Sequence, residues 1–305
     1  MPEVTVIKTE SENFPKIAEL AVELCTSPEH HCIHTWAGEQ AEDIAADWQN
    51  LSRDDELIFV VALRSGEIIG ALGAEYDAEL GRSWLIGPHV QKGEWETSAT
   101  LLFDHLLPLL PESIWRLNAY LNLANERGMA FYRQRGFEKG PVAHVYRAIP
   151  SQATREDPAS CGLLTPALNS SLLELHSDAF PNTYISGEEM IGSIDDDHRV
   201  FVIGGESEIA GYLYATIDDN TNRGDIEFLA VAPDHRRRGH GRQLLRAALH
   251  WLFAERQVAD VILNVRDELT NAQTLYQSVG FTLQYSGIAM HKGEKKDGKS
   301  SGSLL

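Results

Sequence analysis

Ile226-Glu227-Phe228-Leu229-Ala230-Val231-Ala232-Pro233-Asp234-His235-Arg236-Arg237-Arg238-Gly239-His240-Gly241-Arg242-Gln243-Leu244-Leu245 is the stretch from which the fold of this chain is read. It reads as a buried strand, a tight basic loop with two glycines, and an amphipathic helix. A helix start presents unpaired backbone N–H groups and a partial positive charge, so the stretch suits a diphosphate. Gly239 and Gly241 have no side chain to hold a phosphate away from the backbone. Arg236, Arg237, Arg238 and Arg242 add charge-assisted donors, with His240 among them. A nucleotide P-loop would need Gly-Lys-Ser/Thr after the glycines, and a dinucleotide fingerprint a third glycine and a following acidic residue; neither is present. The competing reading is a solvated charge run. The flanking strand, proline and helix argue against it.

Working outward, the same order of elements occurs twice. In the first half, strands are expected at residues 4–8, 57–63, 67–73, 83–90 and 114–121, with helices at 14–24, 38–51, 97–110 and 125–135. Residue 137 opens a further strand and 143–149 closes the set. In the second half, strands are expected at 162–165, 199–203, 208–217, 224–231 and 261–265, with helices at 171–180, 186–194, 241–256 and 270–279. Two short strands, 281–284 and 288–291, follow. Phe131-Tyr132-Arg133-Gln134-Arg135-Gly136-Phe137 matches Leu275-Tyr276-Gln277-Ser278-Val279-Gly280-Phe281. A period of about 144 residues means two domains rather than a solenoid. The expected division is a domain over 1–150, a polar, proline-containing linker over 151–160, a domain over 161–292 and a disordered tail over 293–305.

The chain has 305 residues, enough for two cores. Its formal net charge is −19. Residues 1–150 carry 12 basic and 23 acidic side chains, so the acidity is spread along the chain. Such a surface repels nucleic acid and attracts a cationic small substrate such as an amine. No apolar run reaches membrane length, and no signal peptide opens the chain, so a cytoplasmic protein with no membrane partner is expected. Cys25, Cys32 and Cys161 make no disulfide framework. His30-His31-Cys32-x-His34 lacks a second ligand pair, so a loop is read there and no metal is expected. Trp36 and Trp48 read as packing aromatics.

Arg236-x-x-Gly239-x-Gly241 follows a strand ending Leu229-Ala230-Val231-Ala232-Pro233, and Leu275-Tyr276-x-x-x-Gly280-Phe281 comes some 35 residues later. Together these resemble the GNAT superfamily of acyl-CoA-dependent N-acyltransferases. The resemblance covers residues 162–292 well and 4–149 in outline, as in a tandem member. It implies an α+β fold in each half, a mixed, mostly antiparallel sheet flanked by helices, with its fourth and fifth strands splayed. Acetyl-CoA as cosubstrate would enter the splay, pantetheine pairing with Leu229, Ala230 and Val231 and the diphosphate lying on residues 236–242. Asn271 stands in for an asparagine that the family often has seven residues before the tyrosine, where this chain has Leu269. In the first half Asn125 is in register with Tyr132.

Acyl transfer to an amine needs a neutral amine, a stabilised carbonyl oxygen and a proton for the departing thiolate. The resemblance makes Tyr276 the acid. Asp225 and Glu227, two residues apart, are expected to share a strand face with Leu229 and Val231, and either could be the base. Backbone N–H groups at the splay, such as that of Val231, would serve the oxyanion. No Ser-His-Asp order is evident. The first half has no arginine–glycine loop, and Glu94 and Glu96 fall near the diphosphate position, so this half is expected to be degenerate. The expected function is transfer of an acetyl group to a primary amine of a small molecule or peptide, by a monomer or homodimer. Amino acids, polyamines, aminoglycosides and protein N-termini all stay open as acceptors. The alternative is a non-catalytic acyl-CoA-binding or sensing protein.

Overall fold

A computed structural model describes residues 3–32, 40–151, 161–181, 183–218 and 221–293. His34, Trp36, nearly all of the expected linker and the tail lie outside the described residues. The chain divides into two compact units.

The first unit contains β1 (Val4–Thr9), α1 (Phe14–Cys25), α2 (Ala41–Arg53), β2 (Leu57–Arg64), β3 (Glu67–Asp77), β4 (Arg82–Val90), α3 (Trp95–Leu106), β5 (Arg116–Asn122), α4 (Glu126–Gln134) and the start of β6 (Glu138–Ala148). The second contains the rest of β6, then β7 (Gly162–Leu163), α5 (Asn169–Ala179), α6 (Gly187–Gly192), β8 (His198–Gly204), β9 (Ile209–Asp218), β10 (Arg223–Val231), α7 (His240–His250), β11 (Asp260–Arg266), α8 (Thr270–Gln277) and the start of β12 (Thr282–Lys292). Both are α+β, and within each unit the strands pair antiparallel except for one parallel pair: β4 with β5, and β10 with β11.

Two expectations about strands are corrected. Residues 137 onward and 143–149 are not separate strands but one, β6; likewise 281–284 and 288–291 lie in β12. Each of these long strands also changes unit partway. Residues 143–148 of β6 pair with β11 in the second unit, and residues 287–292 of β12 pair with β5 in the first. One strand segment of each unit therefore comes from the other half of the sequence. Alternating side chains suit a strand to pairing but do not by themselves choose its partner.

In each unit the strands carry an apolar layer on both faces. In the first unit, Phe14, Trp48 and Phe59 form an aromatic cluster under α1 and α2, with Trp48 a core residue as expected. The other face packs Leu102, Leu106, Phe131 and Tyr132 from α3 and α4. In the second unit, Leu172 and Met190 of α5 and α6 cover Tyr212, Tyr214 and Phe228. Leu244, Leu245 and Leu249 of α7, with Tyr276 of α8, cover the opposite face. The leucine spacing on α7 matches one side of a 3.6-residue helix, so burial of that stripe seats the helix N-terminus beside the end of β10.

Candidate active site

β10 and β11 pair only over four residues, Arg223–Ile226 against Asp260–Leu263. The register of β10 with β9 then shifts by one between Ile226 and Phe228, a β-bulge at Glu227. Beyond the bulge β10 pairs with β9 alone among the described residues. The Ala232 N–H donates to the Ala210 carbonyl, so by alternation Ala230 exchanges hydrogen bonds with Tyr212. Leu229 and Val231 turn their peptide groups the other way, toward the gap. Of the three expected pantetheine partners, Leu229 presents its N–H and carbonyl there and Val231 its N–H, the Val231 carbonyl accepting from Arg236 Nε.

The bulge also corrects the expected grouping of side chains. Asp225 is opposite Thr216 and Leu229 is opposite Leu213, and these partners lie on opposite faces of β9. Asp225 therefore lies on the face of Phe228, away from Leu229 and Val231. Glu227 joins it: the Tyr184 hydroxyl donates to Glu227 Oε2, and the Tyr184 ring lies 5.4 Å from that of Phe228. A one-residue insertion inverts a period-two pattern, and nothing in Ile226-Glu227-Phe228 announces it.

Burial, the neighbouring Glu227 and the more distant Asp218 and Asp260 raise the Asp225 carboxyl to about 7, against the opposing effect of Arg223. Arg223 is itself engaged: its Nε donates to Asp260 at 3.0 Å, and Arg147 holds the other oxygen of that buried carboxylate at 2.5 Å. Burial followed by the charge of Glu227 raises the Tyr184 phenol above its ordinary value.

After β10, the chain makes a turn at Pro233–His235 and enters α7. Gly239, the residue before the helix, has φ +86°, and a Cβ there would meet no atom within 4 Å. The left-handed backbone requires glycine, and the space beside it is open. At Gly241 a Cβ would come within 2.9 Å of Leu275 Cδ2, the end of a flexible side chain of α8. The arginines do not all reach into the opening: Arg236 Nε donates to the Val231 carbonyl at 3.0 Å, Arg238 donates to the Asp234 carbonyl, and Arg242 to Ser278 Oγ at 3.2 Å. Arg237 takes φ +62°. His240 Nδ1 lies 3.4 Å from Gln243 Oε1.

Tyr276 follows Leu275 directly and is 8% exposed. Its ring packs on Phe281 and, at 6.4 Å, on Tyr146, whose hydroxyl accepts from Gln277 Nε2. Burial pushes the Tyr276 phenol up to about 12, so it keeps its proton at neutral pH. Tyr146 was invisible as a site neighbour in the sequence, because it arrives on the exchanged part of β6. The same segment brings His144 between Ser286 Oγ (2.7 Å) and Asp267 (2.8 Å). This chain of contacts pins the segment to the end of β11, a Ser, His and Asp grouping that chain order does not reveal. Leu269, at the cap of α8, is 51% exposed and makes no side-chain cap. Asn271 is exposed in the first turn.

The first unit treats the corresponding gap differently. β4 and β5 pair over residues 82–85 and 116–119 and then separate. Cys32 bridges Leu121 of β5, the Asn122 N–H donates to the His31 carbonyl at 3.1 Å, and Cys32 Sγ lies 3.4 Å from the Gly87 carbonyl of β4. The chain itself occupies this splay. Tyr132 donates to Gly87 at 2.8 Å, and Asn125 caps α4 through Gly128 while its amide reaches the His31 carbonyl. Glu94, at the start of α3, is paired with Arg64 at 2.6 Å. Burial and His31 hold His89 down at about 4, a neutral imidazole. Cys32 is 2% exposed, and burial raises its thiol well above the ordinary range. In the described part of the histidine-rich stretch His31 and Cys32 are buried in these contacts, and no group of three or more side chains placed to hold a metal ion occurs among the described residues.

Residues 169–281 match the model of the Acetyltransferase (GNAT) family. A streptothricin acetyltransferase of Streptomyces lavendulae is 31% identical over 114 residues, 37% of this chain and 60% of that protein. The match thus spans 60% of that relative's length. The crystal structure of a GCN5-related N-acetyltransferase from Sphaerobacter thermophilus superposes with a TM-score of 0.69 at 17% identity, covering 95% of each chain. A tandem GNAT protein from the clavulanic acid biosynthesis pathway gives 0.62 at 16% identity over 97% of this chain and all of that one. These structures share the fold. No helix among the described residues is long and apolar enough to cross a membrane.

Proposed function

With a GNAT acetyltransferase domain over residues 169–281 as premise, we propose that the second unit transfers an acetyl group from acetyl-CoA to a primary amine. The observation that carries this reading is the opening of β10 from β11 beyond Ile226, beside the helix start at Gly239. The N–H and carbonyl of Leu229 and the N–H of Val231 offer the hydrogen bonds an extended amide-bearing arm needs, and the first N–H groups of α7 suit a diphosphate. The fit rests on the open space at Gly239 and the unpaired strand edge.

Acetyl-CoA supplies a thioester carbonyl, which an amine attacks as the C–N bond forms and the C–S bond breaks. Asp225 takes the amine proton: a carboxyl near 7 is half deprotonated at working pH, as a general base should be. Tyr276 holds the proton that goes to sulfur, and Val231 N–H is the oxyanion donor. The first unit, its splay filled by residues 30–32, binds no CoA in this reading. Acceptors remain to be screened, beginning with streptothricin, on which the Streptomyces lavendulae relative acts.

Calorimetry with acetyl-CoA, followed by release of CoA thiol with a panel of amines, tests the proposal. Binding without thiol release would leave an acyl-CoA-binding protein. Absence of binding would end the reading.

A further inference from the structure

Two carboxylates lie at the bulge, Glu227 in it and Asp225 just before it, and the base needs only one. Asp225 is largely buried and enters no hydrogen bond or ion pair among the described residues. Glu227 accepts from the phenol of Tyr184 and has no basic partner among them. The nearest guanidinium on the strand, Arg223, is committed to Asp260. Tyr184 is half exposed, and its ring leans on Phe228 at an interplanar angle of 31°, so it forms a wall beside the two acids.

A carboxylate that an incoming molecule covers loses water on binding, and without a cation opposite it that loss goes uncompensated. An ammonium facing Glu227 restores the lost interaction and gains the aromatic face of Tyr184. The reacting nitrogen cannot fill this place, since it must be neutral and gives its proton to Asp225. We propose that Glu227 and Tyr184 form a subsite for a second, unreacting ammonium, so that the acceptor is a small molecule with at least two amino groups. This rests on the N-acetyltransferase reading of the same site. The acidic surface, with net charge −19, favours the encounter.

The test compares three acceptors of equal chain length at saturating acetyl-CoA: a linear diamine, the monoamine and the amino alcohol. The expected kcat/KM for the diamine exceeds that for either of the others by about 10-fold or more, the worth of one charge-assisted contact. Glu227→Gln keeps the shape and the contact to Tyr184, and should bring the diamine-to-monoamine ratio toward one through KM. Tyr184→Phe should lower the ratio less. Acetyl-CoA affinity by calorimetry reports that each variant is folded. A wild-type ratio near one, or a ratio unmoved by Glu227→Gln, overturns the subsite while leaving N-acetyl transfer standing. Failure of every amine overturns both.

Discussion

The two units share a strand order and differ in what lies where their one parallel pair separates. In the second, Leu229 and Val231 turn peptide groups into the gap and α7 starts beside it with Gly239 in a left-handed conformation. In the first, His31 and Cys32 pair with β5 and touch β4, and Glu94 at the start of α3 is neutralised by Arg64. The motif tyrosines differ in the same way. Tyr132 spends its proton on the Gly87 carbonyl, whereas no side-chain hydrogen bond of Tyr276 occurs among the described residues. A splay in a sheet leaves backbone groups that need partners, and a ligand or the chain can supply them. One fold therefore serves as a proposed site in one copy and as closed packing in the other.

The largest expected effect tests the tyrosines against each other. Tyr276→Phe should lower turnover by about 10²- to 10⁴-fold with acetyl-CoA affinity nearly unchanged, the range for loss of a positioned acid. Turnover at the wild-type level would remove Tyr276 from the chemistry.

Asp225→Asn should cost about 10²-fold in kcat/KM and abolish the acidic limb of the pH profile near 7. Its stability effect has a definite sign. The folded-state carboxyl is raised from 3.8 to about 7, so its contribution is fully present below 3.8 and is lost as pH rises through 7. Asparagine never ionises, so the variant should melt above wild type at pH 8, the gap closing toward pH 4. A variant that melts lower at pH 8 would contradict the assigned burial.

Binding stoichiometry bears on the gap itself. One acetyl-CoA per chain is expected by calorimetry. Gly239→Val, which forces a β-branched residue to a φ of +86°, should weaken binding by about 10-fold or more. A stoichiometry of two would refute the closed first unit.

His89 gives the first unit the opposite pH response. Its folded-state value is lowered from 6.5 to about 4, so stability present above 6.5 is lost as pH falls toward 4. That amounts to about 3 kcal/mol at most. Acid melting curves of His89→Asn should flatten over that range; unchanged curves would show that the imidazole is hydrated.

The smallest effect is expected for Tyr132→Phe, which removes one buried hydrogen bond and should cost about 1 kcal/mol by denaturant titration with activity unchanged. A fall in turnover comparable to that of Tyr276→Phe would break the distinction between the two copies.

Much of this was legible along the chain. The strand, basic loop and helix around Gly239 follow from local rules: an apolar run, a proline, glycines where the backbone turns left-handed, and leucines at helical spacing. The repeat of Phe131-Tyr132 in Leu275-Tyr276 exposed the duplication, because each tyrosine fills the same place on a short helix over the sheet. Other features were out of reach because they depend on partners remote in sequence. The bulge at Glu227 comes from pairing with β9, and it moved Asp225 and Glu227 to the face of Tyr184 and Phe228.

The sequence by itself determined two α+β units, a helix start suited to a diphosphate in the second, and a tyrosine on the helix packed against it. Those are local patterns of period, charge and turn chemistry, which the chain carries wherever it folds. Tertiary structure alone decided which partner each exchanged strand segment took, that Tyr146 would pack on Tyr276, and that residues 31–32 would fill the first splay. Strand edges and splayed backbones accept any segment of suitable alternation, so the choice among them is made by packing across the whole fold.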